Sequence, residues 1–105
     1  MTDVHVIGVG MTPFTRSTDA TLTDLASDAA YCSLKDAGID AQSIGAGFFA
    51  NVLGPQLTGE VTAGQHVLAT IGISRIPVVN VENACTSGST AIWLAVNAIR
   101  AGATD

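Results

Sequence analysis

Residues 84–99 carry no formal charge, and within them Ala91, Ile92, Trp93, Leu94, Ala95, Val96, Ala98 and Ile99 cover every side of a helix wound at its normal period. A helix that is apolar all round has to be covered all round. The stretch is not a membrane span, which needs about 20 apolar residues, and it is too rich in Ser, Thr, Gly and Asn. A chain of 105 residues can hardly bury such a helix by itself. Helices on a parallel sheet normally keep one face in water, so this one predicts a second sheet or layer above it, from further chain or a partner.

The composition points the same way. Charged residues make up only 12% of the chain, about half the usual fraction. Apolar residues reach 48% and the mean hydropathy is +0.43, which excludes a disordered tail. Four Lys and Arg stand against nine Asp and Glu, for a net charge of −5. Such a chain has no basic footprint for nucleic acid and repels anionic membrane surfaces, so neither is expected as a partner. The start, Met1-Thr2-Asp3-Val4-His5, lacks the basic and apolar regions of a signal peptide. Cys32 and Cys85 do not make a disulfide scaffold, and neither His5 nor His66 has a partner at zinc-ligand spacing. A reduced, cytoplasmic protein without a metal is the expectation.

Short β-like runs alternate with helical patterns. Val4–Val9 is predicted as a first strand, ended by Gly10, and Met11 to Asp19 as a loop. Thr21 begins a helix with Asp24 in a capping-box arrangement, and Gly38 is placed to stop it in the left-handed conformation. Ala46–Val52 reads as a second strand, Leu53–Gly59 as loop, and Val61–Thr70 as a short helix closing at Gly72. Pro77–Val81 reads as a third strand, and residues from about Cys85 to Ala101 as the final helix. Strand and helix alternate three times, which argues for a layered α/β fold with a mostly parallel sheet.

One segment has the makings of a site: Asn80-Val81-Glu82-Asn83-Ala84-Cys85-Thr86-Ser87-Gly88-Ser89-Thr90. It joins a strand to the apolar helix through a turn of small residues. Cys85 falls where the helix begins, near unpaired backbone N–H groups at the positive end of the dipole. That setting favours thiolate over thiol, and the same N–H groups can hold the oxyanion of a tetrahedral intermediate. A free cysteine is more often a small buried hydrophobe, and Cys32, among alanines in mid-helix, is read that way.

The run Val79–Ala91 resembles the nucleophile segment of the thiolase superfamily, and most of all its sterol-carrier-protein or lipid-transfer-protein type. Val6-Ile7-Gly8-Val9-Gly10-Met11-Thr12-Pro13-Phe14, and Gly64-Gln65 ahead of Gly72-Ile73 and Pro77, agree with it in order. The resemblance spans the whole chain but only about the first quarter of such an enzyme. It implies that residues 1–105 are an incomplete N-terminal part of a thiolase N-terminal domain, with the last helix as a buried central helix between sheets. It implies a homodimer or higher oligomer, with no cofactor beyond coenzyme A as substrate. It also implies acyl transfer between a 3-oxoacyl-CoA and CoA through a thioester on Cys85. The family's activating histidine and second cysteine come from its C-terminal half, so the 105 residues alone are expected to be inactive.

Two other functions compete. One is retro-aldol cleavage of a CoA thioester on the same scaffold with a small acyl-CoA-binding partner subunit, and the other is non-catalytic binding of lipid or acyl-CoA. His5 is read as a half-buried structural residue of the first strand, and His66 as a surface or interface residue. Gly8-Val9-Gly10 lacks the third glycine and following helix of a dinucleotide fingerprint. Gln65 and the loop from Asn51 to Gly59 are assigned to subunit contacts, and Trp93 to the core. Asp19, Asp24, Asp28, Asp36 and Asp40 are read as caps and a solvated face.

Overall fold

The computed structural model describes residues 1–16 and 19–105, so the predicted loop from Met11 to Asp19 lies outside the described residues at 17 and 18. Helix α1 spans Leu22–Ala37 and begins with the predicted box. The Thr21 N–H donates to Asp24 Oδ2 at 2.9 Å, and the Asp24 N–H donates to Thr21 Oγ1 at 3.1 Å. At the far end Gly38 has φ +68°, and its N–H and that of Ile39 satisfy the carbonyls of Lys35 and Leu34.

The capping box ties α1 to pH. The backbone hydrogen bond from Thr21, helped by the Thr21 hydroxyl, holds the Asp24 carboxyl below its ordinary value of 3.8. A carboxyl depressed in the folded state contributes stability that is complete above its unfolded value and is lost as pH falls through the folded one. Acid titration of thermal stability should therefore show less acid loss in Asp24→Asn than in the parent. Equal acid slopes would remove Asp24 from the account.

After a single 3₁₀ turn at Ala41–Ser43, strand β1 occupies Gly47–Ala50 and strand β2 Val78–Val81. They pair in parallel, Gly47 with Val78 through Ala50 with Val81. A parallel pair needs a crossover, and α2 (Gly54–Thr58) and α3 (Ala63–Thr70) supply it. Gly47, Phe49, Val78 and Asn80 face α3, as the close approaches of Gly47 to Leu68 and of Gly64 to Phe49 demonstrate. Side chains alternate along a strand, so Phe48 faces the other way and shares an apolar groove with Ala95 and Ile99 of α4 (Ser87–Arg100). The layers run α1, α3, sheet, α4, with Val67 of α3 the most deeply buried large side chain at 1% exposure.

The structure corrects several expectations. Val4–Val9 forms no strand and His5 is exposed. The segment lies against α1 instead: a β-carbon on Gly8 would overlap the Ser33 carbonyl, and one on Gly10 the Ala29 carbonyl. The Val9 N–H donates to Asp36 Oδ2 at 2.9 Å, so Asp36 is a tether and not merely a solvated charge. Leu53–Gly59 is not all loop, because Pro55 is accepted in the first turn of α2, where its missing N–H costs no hydrogen bond. Cys32 is exposed on α1. Trp93 and Ile92 are 64% and 66% exposed, so neither is core: the two strands and their neighbours cover only one side of α4.

Candidate active site

Helix α4 begins at Ser87, with Thr86 as its cap, so Cys85 stands just outside the helix and not at its first residue as the sequence predicts. A separate turn comes first. The Thr86 N–H donates to Asn83 O at 3.0 Å and the Ser87 N–H to Ala84 O at 3.2 Å. Ala84 has φ +47°. A non-glycine residue in this left-handed region is strained by on the order of 1 kcal/mol, so surrounding contacts have to hold it there.

Those contacts are three hydroxyls and one carboxylate. Ser87, 4% exposed, donates from Oγ to Ala84 O at 2.7 Å and accepts from the Asn83 N–H at 2.8 Å. Thr90 Oγ1 donates to Thr86 O at 2.9 Å and accepts from Asn83 Nδ2 at 3.0 Å. Thr86 Oγ1 donates to Asn83 O at 2.7 Å. The Glu82 carboxylate accepts from the Ala84 N–H at 2.9 Å. Each of the three hydroxyls has its O–H donor satisfied within the turn, and those of Ser87 and Thr90 accept a bond as well.

Cys85 itself is exposed and carries a free thiol. Among the described residues, no hydrogen bond from within the chain occupies the N–H groups of Cys85, Gly88 or Ser89. The turn thus combines an accessible sulfur with backbone donors that no other group among the described residues occupies.

A cleft of about 160 Å³ opens at the carboxyl ends of both strands, lined in part by Phe49, Asn51, Asn80, Val81 and Glu82. Parallel α/β sheets bind ligands at this edge, although Cys85 is not among the lining residues. Asn80 organises the cleft wall. Its Oδ1 accepts from the Gly64 N–H at 2.8 Å and its Nδ2 donates to Gln65 Oε1 at 2.7 Å. It thereby serves the start of α3, whose cap residue Thr62 makes no side-chain capping bond. Gln65, assigned from sequence to subunit contacts, thus has a partner within the chain.

The histidines stay apart from the site. His66 is exposed on α3 and pairs through Nδ1 with Glu60 Oε2 at 2.8 Å. Glu60 in turn accepts from both the hydroxyl and the N–H of Thr62 at 2.7 Å, and these bonds hold its carboxyl below the usual value. Among the described residues no hydrogen bond joins His5 or His66 to the Cys85 turn. Sequence reading singled out Cys85 and took Ser87 and Thr90 only as small residues that let substrate or backbone approach, with no hydrogen-bonding role for Asn83, Ser87 or Thr90. Their spacing at i, i+4 and i+7 was the available signal, since it places three polar side chains on one face of a helical turn.

The chain is similar to several known proteins. Residues 4–105 match the thiolase N-terminal domain model. Sterol carrier protein 2 of Bos taurus is 34% identical over 104 residues, 97% of this chain and 18% of that protein. Acetyl-CoA acetyltransferase of Methanocaldococcus jannaschii is 31% identical over 105 residues, 100% of this chain and 27% of that protein. The chain therefore spans about a fifth to a quarter of the length of these curated relatives. The fold superposes on 3-oxoacyl-[acyl-carrier-protein] synthase III from Aquifex aeolicus with TM-score 0.73 and 22% identity, covering 82% of this chain and 27% of that one. It also superposes on cerulenin-bound OleA of Xanthomonas campestris with TM-score 0.70 and 25% identity, over 84% of this chain and 26% of that one. With its N-terminal domain model matched from Val4 to the last residue, the chain belongs to the thiolase family.

Proposed function

We propose that the chain is part of the N-terminal domain of a thiolase-type acyltransferase in which Cys85 accepts the acyl group. The observation that carries this reading is the exposed Cys85 thiol at the strand-to-helix turn, next to backbone donors without partners, in a chain of this family.

The reaction balances as follows. The Cys85 thiolate adds to the ketone carbon of a 3-oxoacyl-CoA, and the developing oxyanion is held by N–H groups at the turn. The bond between the α-carbon and that carbon then breaks. Its electron pair leaves on the acetyl-CoA carbanion, which takes a proton and departs as acetyl-CoA. The acyl group remains as a thioester on Cys85, and a CoA thiolate attacks it, releasing acyl-CoA and restoring the cysteine. In this proposal the proton donor and the base that prepares the thiol are groups other than His5 and His66, neither of which is hydrogen-bonded to the turn among the described residues. A homodimer or larger assembly and CoA substrates belong to the same proposal.

Incubating the complete enzyme with a 3-oxoacyl-CoA in the absence of free CoA should leave an acyl adduct on the peptide that contains Cys85, seen by mass spectrometry. Turnover without any adduct, releasing an aldehyde or ketone, would replace thiolysis by retro-aldol cleavage. Saturable acyl-CoA binding with neither adduct nor product would leave only a binding function.

A further inference from the structure

The hydroxyl of Ser87 is placed to do more than begin a helix. It is buried, and it bridges the two residues that precede Cys85 by accepting from the Asn83 N–H and donating to the Ala84 carbonyl. Ala84 is the left-handed residue of the turn, with φ +47°. An alanine keeps such a φ only when its neighbours hold it, because its β-carbon disfavours the conformation. The backbone direction at Ala84 decides where the Cα–Cβ bond of Cys85 points, and so whether Sγ faces outward beside the free N–H groups or turns away from them.

We propose that Ser87 is a positioning residue for Cys85, acting by holding Ala84 in the left-handed conformation. The inference rests on the reading of Cys85 as the nucleophile, but the clamp itself is a statement about the turn. Thr90 and Asn83 brace the same turn from the helix side through the 3.0 Å bond between their side chains, Glu82 holds the Ala84 N–H, and among the described residues Ser87 is the one side chain bonded to Ala84 O. If the clamp works through Ala84, a glycine at 84 should make it dispensable, since glycine takes positive φ without support.

The test is iodoacetamide labelling of the full chain, with mass spectrometry following Cys85 and Cys32 separately across pH. Cys32 is exposed on α1, away from the turn, and serves as the standard within each molecule. The parent should label Cys85 faster than Cys32. Ser87→Ala should lower the Cys85-to-Cys32 rate ratio about tenfold, the equivalent of one lost hydrogen bond to a buried group, and should displace the pH profile of Cys85 alone. Ser87→Thr, which keeps the hydroxyl, should retain the parental ratio. Adding Ala84→Gly to Ser87→Ala should restore it to within about twofold, as the freedom of glycine at positive φ requires.

An unchanged ratio in Ser87→Ala overturns the proposal. A lowered ratio that Ala84→Gly does not rescue also overturns it, because the hydroxyl would then act by another route. Amide exchange at Asn83 separates this idea from the nucleophile reading. Should parental Cys85 label no faster than Cys32, the nucleophile reading fails. The clamp is then judged by whether Ser87→Ala accelerates exchange at the Asn83 N–H at least about tenfold, as loss of its bonding partner requires, and unchanged exchange overturns it.

Discussion

In the complete enzyme, Cys85→Ala should lower acyl transfer on the order of 10⁴-fold or more, the scale on which removal of a covalent nucleophile is felt. The loss should fall on kcat, with the apparent affinity for acyl-CoA little changed, because the sulfur bonds to substrate only as the reaction proceeds. Stability should barely move: Cys85 is exposed, so its truncation opens no cavity. The matching Cys32→Ala variant should retain full activity, since Cys32 lies on the outer surface of α1. Steady-state kinetics on both variants decide the matter. A Cys85→Ala enzyme that turns over at the parental rate would end the covalent mechanism, and a retro-aldol reaction run by other residues would then explain the activity.

At the cleft wall a large effect on folding is expected at Gly64. A β-carbon there would stand 2.7 Å from Phe49 Cβ, 2.8 Å from Asn80 Oδ1 and 3.1 Å from Val78 Cγ1. Phe49 Cβ belongs to the rigid base of a strand side chain and has no room to yield. The Asn80 oxygen is held in place by the Gly64 N–H itself and by the anchoring of Asn80 to Gln65. Gly64→Ala should therefore push α3 off the sheet and loosen the cleft wall together, destabilising the chain by about 2–3 kcal/mol, in the range of overpacked cores. For a domain near this size that lowers the melting temperature by about 8–24 °C. Gly88→Ala is the control: it meets nothing within 4 Å and lies in the first turn of α4, so its melting temperature should stay level or rise slightly. Equal melting of Gly64→Ala and the parent would show that α3 does not pack as tightly as the geometry requires.

What could be read from the residues followed the reach of the forces involved. The capping box at Thr21 and Asp24, the stop at Gly38 and the strand around Val78–Val81 depend on neighbours a few positions away, and all three were legible. Leu53–Gly59 misled because Gly54 and Pro55 punctuate loops and also start helices; Asn51, whose Oδ1 accepts from the Gly54 N–H at 3.1 Å, is consistent with the second role. Val4–Val9 misled for a different reason. Its β-branched residues suit a strand, but a strand exists only through a partner's hydrogen bonds, and the segment instead meets α1 through Gly8, Gly10 and Asp36.

The site divides along the same line. The sequence by itself determined that a cysteine stands at the junction of a parallel strand and an apolar helix, because strand, turn and helix are each encoded by adjacent residues. It also determined, through the apolar ring of α4, that this helix has more surface to cover than two strands can reach, which the exposed Ile92 and Trp93 bear out. Only the tertiary structure decided that Cys85 lies outside the helix, that Ala84 takes a left-handed conformation, and that a buried hydroxyl at Ser87 accompanies it. The physical reason is that a positive φ at alanine is unfavourable on local grounds, so it arises only where hydrogen bonds from the folded helix outweigh the local preference.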